Sequence, residues 1–206
     1  GTVDLLRADY WITKAGEAGS TEAMKTLGHK YLKGINIDRD IALAAKWYAQ
    51  AASKGDIDSI HAIASMALSG VVRLQSDEAT AKLYQSAAEH GHVAAMNRFG
   101  EMLASGLGEA RDQVAAVKWY RKSADLGCAD AMVNLASMLE NGHGTKTDLP
   151  NAIAWYTSGS NAGNALASVN LGLMLENGKG LRKNRVKAVS CFRKAAEAGN
   201  AAGKVH

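Results

Sequence analysis

Residues 21–33 carry a stripe at 23, 24, 27, 28, 30 and 31, spaced by threes and fours, with polar positions between. That spacing puts the stripe on one side of an α-helix. A second stretch, with Ala44, Ala45, Trp47, Tyr48, Ala51 and Ala52, has the same period and predicts a second helix. The punctuation agrees. Ser20, Asp56 and Asn164 stand where the first helix starts, and Asp40, Ser76, Asp112, Asp148 and Asn184 stand where the second starts. Their side-chain oxygens can accept from the free amides of a first turn. Pro150 falls two residues after Asp148, where a missing N–H costs little. Gly34 closes the first helix, because glycine enters the left-handed conformation cheaply.

The pair of helices is copied. Glycines fall at 19, 55, 91, 127, 163 and 199, an unbroken period of 36 residues. Further columns keep the register: Leu27, Ile63, Phe99, Leu135 and Leu171; then Gly28, Ala64, Gly100, Ala136 and Gly172; then Tyr48, Tyr84, Tyr120, Tyr156 and Phe192. A glycine column also runs through 34, 70, 106, 142 and 178. A fixed period in the 20–50 residue range signals a solenoid or array. The small column at 28 lets two antiparallel helices approach, with the Trp/Tyr pair filling the space beside it. One such hairpin cannot cover its apolar face, so stacking on neighbours must. The expected fold is an all-α solenoid of about eleven helices. It is one array: 1–19 the second half of a repeat; 20–55, 56–91, 92–127, 128–163 and 164–199 five full repeats; 200–206 the start of a further one. The chain therefore reads as a piece of a longer array.

The pattern A-x-x-x-L-G-x-x-Y-x-x-G-x-G followed by D-x-x-x-A-x-x-W-Y-x-x-A-A-x-x-G resembles the Sel-one-like repeat (SLR) family, relatives of the tetratricopeptide repeat. Residues 23–34, AMKTLGHKYLKG, with 40–55, DIALAAKWYAQAASKG, carry the likeness in the first repeat. Val72 replaces a loop glycine, Leu83 and Cys191 replace tryptophan, and Phe192 replaces tyrosine. The loop of the second repeat is expected to differ in shape. The resemblance implies a right-handed superhelix acting as a scaffold or adaptor for protein partners. It implies a bacterial periplasm, envelope or secreted setting, or the endoplasmic reticulum in a eukaryote; the sequence itself leaves the compartment unknown. Some members carry a disulfide in each repeat, a pattern that Cys128 and Cys191 do not fit; both are expected to be free.

By similarity to tetratricopeptide arrays, the first helix of each repeat would line a concave groove. Its expected solvent positions give Glu22, Lys25 and His29; Asp58 and His61; Asn97 and Glu101; Asp130, Val133 and Ser137; and Leu166, Val169 and Leu173 as partner-binding candidates. These positions vary between repeats while the stripe does not. Six acidic residues against two basic ones give this surface about −4, although the chain is +4 overall. A basic or mixed polar and apolar segment of another protein is the expected occupant, with Val133, Leu166, Val169 and Leu173 as an apolar floor. The bland alternative is a set of solvated helix faces, with the apolar positions covered by a further repeat.

Little else carries chemistry. Apolar content of 47% and charged content of 21% are ordinary for a globular chain. No run of 18 apolar residues offers a membrane span. The methionines at 66, 102, 138 and 174 lie beside the stripe and read as packing between repeats. Glu89-His90-Gly91-His92 lacks a third metal ligand, so no metal or other cofactor is expected. The basic run Leu181–Lys187 reads as a solvated loop, with an acidic or phosphate-bearing surface as the sharper alternative. No P-loop, dinucleotide fingerprint or nucleophile constellation occurs, so an enzyme is not expected. Nucleic acid is not expected either, because helical repeats that read bases need positive charge beside a stacking residue, and this surface is acidic. Carbohydrate binding would need exposed aromatics, which here occupy core columns. The leading expectation is a non-enzymatic interaction scaffold. The alternative is an inhibitor or immunity-type protein that blocks one enzyme or toxin.

Overall fold

The computed structural model describes residues 2–202, with side chains from 7 to 199. The start expected for a further repeat, 200–206, therefore lies largely outside the described residues. Among the described residues, eleven helices follow one another: α1 (Thr2–Glu17), α2 (Thr21–Lys33), α3 (Ile41–Ser53), α4 (Ile57–Leu68), α5 (Asp77–Glu89), α6 (Val93–Ser105), α7 (Gln113–Asp125), α8 (Ala129–Asn141), α9 (Leu149–Asn161), α10 (Ala165–Asn177) and α11 (Arg185–Ala202). No strand occurs among the described residues.

Helix starts follow the capping columns. Asp40 accepts from the Leu43 N–H at 2.9 Å, Asp56 from Ser59 at 2.8 Å and Asp112 from Ala115 at 2.9 Å. Cys128 begins α8 without a side-chain cap. First helices end on Gly34, Gly142 and Gly178 in the left-handed conformation, each donating its N–H back to a carbonyl of the last turn. The long-period glycines at 19, 55, 91, 127 and 163 share φ values between +85° and +98° and form five equivalent corners. Gly199 departs from this expectation and stays inside α11. Residues 203–206 lie outside the described ones.

The chain divides into two compact units, residues 1–95 and 96–206. In the first, Ala44, Ala45 and Tyr48 of α3 join Ile63 and Met66 of α4 in one buried cluster. In the second, Val133 and Ala136 of α8, Tyr156 of α9 and Ala167 and Met174 of α10 form another. Each cluster joins one hairpin to the first helix of the next, so stacking supplies the core that a lone hairpin lacks. All four methionines of the expected column are buried. In the second unit, the Phe99 ring meets Trp119 edge to face at 5.7 Å.

The loop of the second repeat does differ, as Val72 foretold. Elsewhere the capping residue donates its N–H to a carbonyl near the end of the first helix: Asp40 to Tyr31 at 3.0 Å, Asp148 to Leu139 at 2.8 Å and Asn184 to Leu175 at 2.8 Å. Ser76 makes no such bond to Ala67, and the Val72 N–H instead reaches Met66 O at 3.2 Å. The column of Val72 takes positive φ at Asn36, Gly108, Gly144 and Gly180, a conformation that a β-branched valine disfavours. In the fourth repeat Gly144 lies directly against Gln113 at the start of α7. Val72 occupies the equivalent place and packs on the α3–α4 cluster, where Ile41 also lies. The displaced loop opens a cavity of about 520 Å³ between Ala67, Arg73, Thr80 and Tyr84.

Candidate functional site

The first-helix surface in the first unit is built around Lys25. Its ammonium lies 3.0 Å from Glu22, 3.2 Å from Asp58 and 3.8 Å from Asp56. Hydrogen bonds to Glu22 and Asp58 hold the lysine above its ordinary range. Two candidate carboxylates are thus engaged by a cation from their own chain. His29 is exposed, and lines an open groove of about 410 Å³ with Lys25, Thr26, Lys30, Tyr48, Asp58 and Ala62. Lys30, which replaces methionine in its column, pairs with Asp9 of α1.

One column was misassigned from the sequence. Positions 25, 61, 97, 133 and 169 were expected in solvent, but Asn97 is 4% exposed and Val133 is 5% exposed. The column sits beside the capping residue that opens the next repeat. Lys25 approaches Asp56, and the His61 ring meets His92 edge to face at 5.1 Å between centroids. Asn97 is spoken for by Glu101 at 2.9 Å and by Asn134, whose amide donates to it at 3.0 Å. Val133 belongs to the buried cluster of α8, α9 and α10. Neither Asn97 nor Val133 presents itself to a partner, and Val133 is not part of an apolar floor.

The acidic character also needs correction. Glu101 pairs with Arg98 at 2.8 Å. Glu140 accepts from the Tyr156 hydroxyl at 2.9 Å and pairs with Lys179 at 2.8 Å. Burial, and then Glu140, push the Tyr156 hydroxyl above its usual range. Asp130 accepts from the Asn164 amide at 2.8 Å. The sequence count omitted Arg98 and Lys179, which lie outside the expected columns yet neutralise two of its carboxylates. Exposed pairs of this kind contribute little stability and exchange readily, but the surface is not an open field of negative charge.

The exposed apolar candidates lie on α10, while His29, Glu22, Asp58 and Asp130 are exposed polar ones. Leu166 is 57% exposed and Leu173 is 44% exposed, with half-buried Val169 between them. Spacings of three and four residues set these on one side of the helix. Half-buried Ser137 of α8 belongs to the column of Leu173. Glu140, Asn170, Leu173, Met174, Asn177 and Lys179 line a recess of about 250 Å³ at the end of this stripe.

Other signals resolve simply. Cys128 and Cys191 are free and half-buried, and burial raises the Cys191 thiol. His90 donates to Ser86 O at 2.7 Å, while His92 turns into the cap of α6. Among the described residues, no group of three or more His, Cys, Asp or Glu is placed to hold a metal. No described helix is long and apolar enough to cross a membrane.

No curated protein matches this sequence. Solved structures do. A protective antigen of uropathogenic Escherichia coli, c5321, which displays an SLR fold, is 32% identical with a TM-score of 0.76 over 95% of this chain. The chain spans 42% of c5321. A Sel1 repeat protein from Oxalobacter formigenes is 22% identical, with a TM-score of 0.76 over 97% of this chain and 84% of its own. The immunity protein Pa5087 from Pseudomonas aeruginosa shares the fold at 17% identity and a TM-score of 0.51, covering 93% of this chain and 75% of its own. The Sel1 repeat profile matches residues 21–56, 59–92, 93–128, 129–164 and 165–200, following the hairpins described above. Helix pairs, capping columns and profile agree repeat by repeat, and the chain belongs to the Sel1 repeat family.

Proposed function

We propose that this chain is a non-enzymatic interaction scaffold that holds a segment of another protein along the exposed sides of the first helices of its second unit, α8 and α10. The observation that carries the reading is the pair of open leucines on α10, Leu166 and Leu173, with half-buried Val169 between them, in a helix whose opposite side is already buried. Exposed apolar stripes at helical spacing suit helix-in-groove and peptide recognition. The occupant is a mixed polar and apolar segment. Basic groups on it would compete with Arg98 and Lys179 for carboxylates already engaged.

A peptide selected from a random library against the whole chain provides the probe. Backbone amide shifts on its addition are expected along α8 and α10; shifts confined to α7 and α9 would contradict the reading. Asp58→Lys with Glu101→Lys and Asp130→Lys is expected to weaken the peptide by less than about tenfold, as rim charges usually do. A loss beyond about a hundredfold would restore a strongly basic occupant. An inhibitor or immunity-type role on the same scaffold would show instead as one natural partner held at nanomolar affinity, with the loss of that partner's activity.

A further inference from the structure

We propose that His92 is a proton-sensitive latch on the start of α6, closed at neutral pH and released on acidification. This does not depend on the scaffold reading. Three other first helices open on Ser20, Asp56 or Asn164, whose oxygens remain acceptors across the physiological range, and α8 opens on Cys128 with no side-chain cap. In the third repeat the acceptor is an imidazole nitrogen. The Ala95 N–H donates to His92 Nδ1 at 3.1 Å. That bond requires a bare Nδ1, so the proton of the neutral ring is on Nε2, which donates to Ser65 Oγ at 3.0 Å. Protonation converts Nδ1 into a donor facing another donor. It also places positive charge at the positive end of the helix dipole.

The neighbours oppose that charge. His61 of α4 lies edge to face on the ring, and its own Nε2 is buried with no hydrogen-bond partner. Asp58, also on α4, is held by Lys25. On α5, Glu89 accepts from Gln85 at 3.0 Å and His90 is tied to Ser86 O. Along α6 itself, Arg98 and Glu101 pair with each other. Burial first, and then His61, hold the His92 ring below its ordinary range. A folded-state value below the unfolded one means that the unfolded chain binds the extra proton. The latch is therefore fully closed above about pH 6.5 and opens as pH falls through the lower folded value.

The test uses the whole chain and its Asn variant, His92→Asn. Asparagine caps α10 at the equivalent place through Asn164, so the variant keeps an acceptor without a titrating group. Amide-exchange protection at Ala95, corrected for intrinsic rates, is expected to fall about tenfold for the wild type between pH 7.5 and 5.0, the size of one lost cap. It should stay flat in the variant, while imidazole ¹⁵N shifts report Nε2–H at pH 7.5. Equal pH dependence in the two proteins, or an Nδ1–H tautomer at neutral pH, would overturn the latch. If His92→Asn does not fold, the tautomer and Ala95 protection of the wild type decide: protection unchanged to pH 5.0 overturns it as well.

Discussion

Gly144→Ala should be among the most damaging conservative substitutions in the chain, costing about 2–5 kcal/mol, while Gly163→Ala costs about 1–2 kcal/mol. Both glycines have positive φ, at +65° and +85°, so both substitutions strain the backbone. They differ in what the new methyl meets. At 163 no atom lies within 4 Å. At 144 the methyl would strike the backbone carbonyl of Gln113, with Gln113 Cβ at 2.9 Å. A side chain can rotate away, but the first turn of α7 moves only if the loop withdraws, and that loop, between α8 and α9, packs the fourth repeat against the third. Val72 shows the alternative outcome inside the same protein. There the loop has withdrawn, and a cavity occupies the space. Urea unfolding of both variants, with amide exchange resolved by repeat, checks the prediction; equal midpoints would contradict it. Resolution by repeat matters because an array need not unfold in one step.

Tyr156→Ala is the second large effect, about 3–5 kcal/mol, against about 1 kcal/mol for Tyr156→Phe. Tyr156 is 1% exposed and central to the cluster joining α8, α9 and α10. Alanine leaves a void among Val133, Ala136 and Met174 that the two hairpins can close only by moving together. Phenylalanine keeps the packing and removes the bond to Glu140, which retains Lys179 as a partner. The pair of variants thus separates packing between hairpins from the polar contact. A Phe variant as unstable as the Ala variant, in the same urea titration, would mean that the hydroxyl, not the ring, holds the junction.

These junctions also explain which features the sequence made legible. Helices, caps and corners are local: Asp40, Gly34 and Tyr48 declare themselves within a few residues, and a 36-residue period repeats the declaration five times. The Val72 loop was legible for the same reason, as a departure from a column. The partner surface was harder. A helical wheel drawn on one hairpin separates its own core from everything else, and so placed Asn97 and Val133 in solvent. It omits the next hairpin, which covers a second side of each first helix. The missing signal lay 31 residues away, in the capping residue of the following repeat. Lys25 with Asp56 is a charge pair, and His61 with His92 is a ring pair. Comparing those columns two at a time would have marked the position as a junction. Arg98 and Lys179 were overlooked because charge was summed over the expected columns alone. Gly199 kept the period without making a corner and lies inside α11.

With the junction column and the paired carboxylates removed from the candidates, the docking surface that we propose centres on the open leucines of α10. A peptide selected against the wild-type chain should lose affinity by about a hundredfold or more when Leu166→Asp and Leu173→Asp are combined, since central anchors commonly contribute 2 kcal/mol or more each. The helical circular dichroism should be unchanged, because both residues are already in solvent. Calorimetric titration of that one peptide into the two proteins is the most direct test. A large loss of affinity with the fold intact is the expected result; equal affinity would show that recognition by this chain does not use the first-helix surface.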